Sequence, residues 1–188
     1  MAKKEAMTDL WVYDMLKEIG VQNNFSAQGS NIKEINEALA TASKKGTGNV
    51  GFPEYVGVIN DFLVVIEDKA SLNKHINRNE NELVSEDVKS ITDYAVNGAL
   101  FYGKHLAKNT TYKKIIAIGV SGNEKNHRIS PLFIDERGGY KELDDVETLI
   151  SFSAENINEY YKREILEVKT NDELKTEELL KVARSLHE

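Results

Sequence analysis

A chain of 188 residues, 40% apolar and 29% charged, is long enough to bury a sizeable core and has the make-up of one ordinary globular domain with an appendage. It has no cysteine, which excludes disulfides, zinc ribbons and thiol nucleophiles, and no apolar run of about 18 residues, so no membrane span is expected. The net charge of −7 is uneven: residues 136–188 hold 14 acids and 8 bases, residues 1–135 hold 17 and 16, so the acidity sits in the tail. A nearly neutral body is too weakly charged for tight non-specific DNA binding alone, but it suits a domain tethered to something that binds. The opening "MAKKEAMTDLW" lacks the apolar core of a secretory signal, and the cytoplasm is the expected compartment.

The first predicted element is a helix over residues 7–20, with Leu10, Trp11, Tyr13, Met15, Leu16 and Ile19 at helical spacing, Thr8 or Asp9 as cap and Gly20 as stop. A second helix over 30–43 has Ile32, Ile35, Leu39 and Ala42 on one stripe. "KKGTGNVG" (44–51) reads as a glycine-rich basic loop or short strand. Then comes "GFPEYVGVINDFLVVIEDKAS" (51–71), two apolar strands joined by a two-residue turn at Asn60-Asp61. Residues 73–82 are polar and irregular, and a long helix is predicted over 85–108, opening with a capping pattern and bending near Gly98. Strands over 112–122 and 128–135 follow, and from about Asp144 the chain turns helical.

The hairpin raises a physical question, because a charge buried without a partner costs several kcal/mol even after relaxation. With a two-residue turn, Glu54 falls opposite Glu67, on one face with Lys69, while Asp68 points the other way as a supporting or surface residue. Both faces are otherwise apolar, with Val56, Val58, Leu63 and Val65 on one and Tyr55, Ile59, Phe62, Val64 and Ile66 on the other. The hairpin is therefore expected inside a sheet covered on both sides. Opposed carboxylates are unfavourable unless a cation sits between them, and a divalent ion is the natural one. Taken singly, Glu67 and Lys69 also read as a solvated strand end; the opposed Glu54, the preceding Pro53 and the basic glycine loop favour a site.

Pro53-Glu54, then twelve residues, then Glu67-Asp68-Lys69 resembles the active-site signature of the PD-(D/E)XK nuclease superfamily, with Glu54 where the family usually has Asp. "ASKKGTGNVGFPEY", "VIEDKA", "YAVNGALFYGKHLAK" and "IIAIGVSG", in that order, resemble the N-terminal nuclease domain of bacterial restriction–modification polypeptides. These are nucleases fused to an N6-adenine methyltransferase, or restriction subunits of type I systems. The likeness covers about residues 30–122, half of the chain.

The resemblance implies an α/β restriction-endonuclease-like αβββαβ core, a mixed central sheet flanked by helices, over residues 1–142, with a helical extension or connector over 143–188. It implies a metal-dependent DNA endonuclease in the bacterial cytoplasm. Its catalytic residues would be Glu54, Glu67 and Lys69, with Glu54 and Glu67 holding Mg²⁺ (Mn²⁺ as a substitute), since hard carboxylate oxygens suit that ion. Lys69 would orient or deprotonate the attacking water and offset charge in the transition state.

Lys44 and Lys45 would contact DNA phosphate, or belong to a solvated loop. Asn97 and Tyr102 would support the site from the long helix, with a capping or core role as the alternative. An upstream helical acid often completes the site in the superfamily, and Glu18, Glu34 and Glu37 are open choices. The partners implied are double-stranded DNA, a methyltransferase or target-recognition domain in the same or another chain, and a transient dimer for double-strand cleavage. The competing readings are an inactive nuclease-fold clamp or docking element, and a stand-alone structure-specific nuclease.

Overall fold

The computed structural model describes residues 2–46, 51–167 and 171–187; Thr47, Gly48, Asn49 and Val50 of the basic glycine loop lie outside the described residues. The β-branched run of the predicted hairpin forms β2 (Tyr55–Ile59) and β3 (Phe62–Lys69), in the register Tyr55↔Ile66, Val56↔Val65, Val58↔Leu63 and Ile59↔Phe62. Asn60 takes the positive φ of 54° that so tight a turn demands.

Around this hairpin stand β1 (Phe25–Ala27), β4 (Lys114–Gly122), β5 (His127–Ile134) and β6 (Tyr140–Glu142). They make one six-stranded sheet in the order β1-β2-β3-β4-β5-β6. β3 and β4 run parallel, and every other neighbouring pair is antiparallel. The parallel step needs a crossover, supplied by α3 (Val88–Asp93) and α4 (Ala95–Asn109). With α1 (Ala2–Glu18) before the sheet and α2 (Lys33–Leu39) between β1 and β2, the mixed α/β architecture is consistent with a restriction-endonuclease-like core.

Both sheet faces are covered, as the apolar run requires. Val56, Leu63, Val65, Ile115 and Ala117 form one core with Ile35 and Leu39 of α2 and with Val96, Leu100, Tyr102 and Leu106 of α4. On the other face, Val64, Ile66, Ile116, Ile118 and Val120 are buried, and α1 packs on β3 and β4.

Several local expectations are corrected. The first helix begins at Ala2, and its buried side is Thr8, Val12, Met15 and Leu16, whereas Leu10 and Tyr13 are exposed. Thr8 is no cap: its buried hydroxyl donates to the Gly122 carbonyl at the end of β4 (2.8 Å). The long helix breaks at Tyr94, which is extended (φ −118°, ψ 139°), and not near Gly98. The break frees the Val96 N–H for the His75 carbonyl (2.9 Å) and lays the first turn of α4 on Gly119. A Cβ on Gly119 would stand 2.6 Å from the Val96 nitrogen, so this contact requires glycine.

The cap that starts α3 is Asp87, which accepts from the Ser90 N–H (3.1 Å). The short edge strands β1 and β6 had no counterpart in the apolar pattern. Residues 143–149 are not helical; Val146 bridges to Ile129 on β5, and a 3-10 turn follows at Ile150–Phe152.

The chain divides into two compact units, residues 1–157 and 158–188. The second holds most of α5 (Ile157–Tyr161), a π turn at Lys162–Leu166 and α6 (Asn171–His187). Along α6, Leu179, Leu180, Val182 and Leu186 are all more than half exposed.

Asn97, read either as a support for the site or in a capping or core role, pins the loop before α3. Its buried Oδ1 accepts from the Asn77 N–H (2.9 Å), and its Nδ2 donates to the carbonyls of Asn77 and Ser85 (2.8 Å each). Asn97→Ala leaves these main-chain groups without partners and is expected to cost about 1–3 kcal/mol in urea unfolding. Amide exchange should quicken across residues 77–85.

Candidate active site

The end of the hairpin remote from its turn gathers the charged residues, and it divides them between the two sheet faces. Glu67 lies on the α4 side, and its buried carboxylate is fully engaged. Oε1 accepts from the Glu54 N–H (3.1 Å), and Oε2 accepts from the Lys44 ammonium (3.1 Å). Lys44 also sits 4.9 Å above the Tyr102 ring. α4 comes this close because it presents Gly98, where a Cβ would lie 3.0 Å from Glu67 Oε2 and 3.2 Å from Lys44 Nζ. Lys44 is therefore turned inward, while Lys45 is exposed. Tyr102 is buried, and desolvation followed by the nearby Glu67 and Glu54 pushes its pKa up.

Asp68 lies on the α1 side, and there a second group forms. Asp9, Glu54 and Asp68 each offer a carboxylate oxygen, all within 4.8 Å of one another. Three elements supply them. Glu54 occupies the bend after the buried Pro53, just before β2. Asp68 is the penultimate residue of β3.

Asp9 is fixed by its neighbours: Thr8 ties α1 to Gly122, and the Tyr55 hydroxyl donates to the Asp9 carbonyl (3.1 Å). Asp9 Oδ1 and Asp68 Oδ2 are buried and find no hydrogen-bond donor. A proton, a water or a cation could satisfy such a pair. Lys69, half-buried, stands near enough to favour the ionised form of Glu54.

The sequence pairing of Glu54 with Glu67 thus becomes a different arrangement. Glu54 converges with Asp9 and Asp68, while Glu67 binds Lys44 and the Glu54 backbone. The ladder ends at Tyr55, so the alternation rule does not govern the Glu54 side chain. Of the acids offered for an upstream helix, Glu34 accepts from the Thr111 N–H, Glu37 pairs with Lys33 (3.7 Å), and Glu18 is exposed.

Asp9 was passed over because it also suited a helix cap. The signal was its phase, three residues before Val12 and seven before Leu16 on the buried side of α1. His75 was also missed: it is buried between the hydroxyls of Ser121 and Ser130 (2.6 Å each), away from the carboxylates' face, and burial lowers its pKa to about 4.

Electrostatics follow from this crowding. Burial first, then Glu67 and Asp9, raises the Glu54 pKa to about 7 against the relief offered by Lys69 and Lys44. Burial first, then the adjoining Asp9 carboxylate and the charges of Glu54 and Glu67, raises Asp68 to about 9. The crowding therefore favours a proton on the carboxylate cluster in the absence of a cation.

No family model matches the chain, and no solved structure matches it. The chain is similar to the type II restriction enzyme and methyltransferase RM.BcgI of Heyndrickxia coagulans, at 34% identity over 190 aligned residues. The alignment takes in the whole of this chain and 29% of the relative, so the chain spans less than a third of that protein's length.

A carboxyl whose pKa is higher in the folded than in the unfolded chain adds stability below its unfolded value, and that contribution is lost as pH rises through the folded value. For Glu54 the window runs from 4.5 to about 7, and for Asp68 from 3.8 to about 9. His75 acts oppositely, subtracting stability below its unfolded value of 6.5. Unfolding in metal-free buffer should therefore show stability falling between about pH 6.5 and 9. Asp68→Asn should flatten that fall.

Proposed function

We propose that this chain is the nuclease module of a restriction–modification protein, hydrolysing DNA phosphodiesters with a divalent cation. The observation that carries the reading is the convergence of Asp9, Glu54 and Asp68, two of them with buried carboxylate oxygens that lack any donor, beside Lys69. Similarity over the whole chain to part of a restriction enzyme and methyltransferase supports the biological role.

The donor set is all carboxylate oxygen, which suits Mg²⁺ or Mn²⁺, and a cation there would supply the charge that the orphaned oxygens lack. Asp9, Glu54 and Asp68 would hold it. Bound there, the ion would polarise a phosphate oxygen and make a water more acidic.

The chain's own groups do the rest. Lys69 Nζ sets a positive charge beside the carboxylates, where it orients the attacking water and offsets charge growing on the phosphate. Glu67 acts as the keystone behind the site, joining the Lys44 ammonium to the main-chain N–H of Glu54 and so fixing the Glu54 backbone. The substrate is double-stranded DNA. A methyltransferase or target-recognition domain supplies sequence choice, and transient pairing of two modules allows both strands to be cut. The setting is the bacterial cytoplasm; no helix among the described residues is long and apolar enough to cross a membrane.

Calorimetric titration with Mn²⁺ separates the carboxylates. Asp68→Asn and Asp9→Asn should abolish binding, whereas Glu67→Gln should retain it in weakened form. With supercoiled plasmid and Mg²⁺, Lys69→Ala should slow nicking by about 100-fold or more while leaving Mn²⁺ affinity intact. Unchanged Mn²⁺ binding in Asp68→Asn would overturn the metal assignment.

A further inference from the structure

We propose that the cleft beside Lys69 is a binding subsite for the backbone of the DNA strand that runs into the carboxylate cluster, with Lys4 and Lys74 as its phosphate contacts. The proposal rests on the nuclease reading above and adds to it the path of the substrate.

The cleft has a volume of about 730 Å³ and is lined by Lys4 and Glu5 of α1, by Lys69, by Asn73 and Lys74 of the turn after β3, and by Asp93. That is ample room for a nucleotide. Its lining adjoins the cluster along two elements. Lys69 follows Asp68 on β3, and Glu5 stands one helical turn before Asp9 on α1. A strand whose phosphate lies at Asp9, Glu54 and Asp68 therefore meets this cleft next.

The cations there are available for a ligand. Among the described residues, Lys4, Lys69 and Lys74 form no ion pair, although Glu5 and Asp93 share the lining. Lys74 is also preorganised, its ammonium 5.1 Å above the Tyr94 ring. Tyr94 is the extended residue at the break between α3 and α4. Lys44, by contrast, is committed to Glu67, which leaves the phosphate role to other lysines.

Compact ammonium groups without carboxylate partners, on a groove leading to a hydrolytic centre, suit a polyanionic backbone. Contacts of this kind position a strand without reading its sequence.

The test uses the whole chain, a short fluorescent duplex and Ca²⁺ in place of Mg²⁺, with anisotropy read across a salt series. Lys4→Ala and Lys74→Ala should each reduce the slope of log affinity on log salt by about 0.9. The double variant should bind about tenfold more weakly at low salt, equally for unrelated sequences. Lys74→Arg should keep the parental slope.

In plasmid nicking the double variant should raise KM and leave kcat within about twofold. Mn²⁺ affinity and Tm should hardly move, because both side chains are exposed and neither belongs to the carboxylate cluster. Parental affinity and slope in the double variant would overturn the subsite while leaving the metal site standing. A parent chain that binds the duplex with the expected slope but nicks no plasmid with Mg²⁺ or Mn²⁺ would overturn the nuclease reading while leaving the subsite standing. A parent chain that binds no duplex even at low salt would overturn both.

Discussion

Four carboxylates meet at one end of the β2–β3 hairpin, and among the described residues just one of them, Glu67, has an ion-pair partner. Desolvating a carboxylate costs several kcal/mol per ion, so such a group survives in a fold only where the surrounding packing holds it in place. The packing here is the sheet itself, apolar on both faces and covered by α1 on one side and by α2 and α4 on the other. Two close approaches complete the clamp. Gly98 admits the Glu67–Lys44 pair against α4, and Gly119 admits the first turn of α4 against β4. Asp9, Glu67 and Asp68 are held by elements of the domain core, and Glu54 by the bend that Glu67 anchors.

The features of the sequence that proved legible are those governed by repetition. A run of β-branched residues with a polar two-residue break dictated the hairpin, its register and its burial, because a slip of one residue would turn every apolar side chain the wrong way. The parallel strand alongside followed from the intervening helical segment. Elements of three residues, β1 and β6, are too short to carry a period. The apolar residues of the first helix surround more than one face: Met15 and Leu16 of the expected stripe are buried with Val12, whereas Leu10 and Tyr13 face solvent. Tertiary position decided between those faces, and with that choice went the placing of Asp9.

The site shows where pattern reasoning ends. Alternation put Glu54 and Glu67 on one face, and it would hold if Glu54 belonged to the ladder. Pro53 has no N–H to donate, and the chain bends immediately after it, so the Glu54 N–H turns to the Glu67 carboxylate and its side chain is free to join Asp9 and Asp68. Asp68, set aside because it points away from Glu67, enters the cluster for that same reason. A long-range contact from α1, nearly sixty residues earlier in the chain, supplies the third acid. No local spacing encodes it.

β3 therefore works as a partition with a different task on each side. Toward α4, Glu67 is neutralised by Lys44 over the Tyr102 ring, an arrangement that gives each carboxylate oxygen a donor. Toward α1, Asp68 faces an acid instead of a base, and among the described residues it has no ion-pair partner. Two adjacent acids on one strand thus have opposite electrostatic fates, set by which helix each one faces. The paired acid can lock the backbone of Glu54 because its charge is already met. The acids on the other side have no such partner among the described residues. Exchanging those environments would undo both arrangements: a lysine opposite Asp68 would pair the charge of the cluster, and an acid in place of Lys44 would push Glu67 away from the backbone it holds.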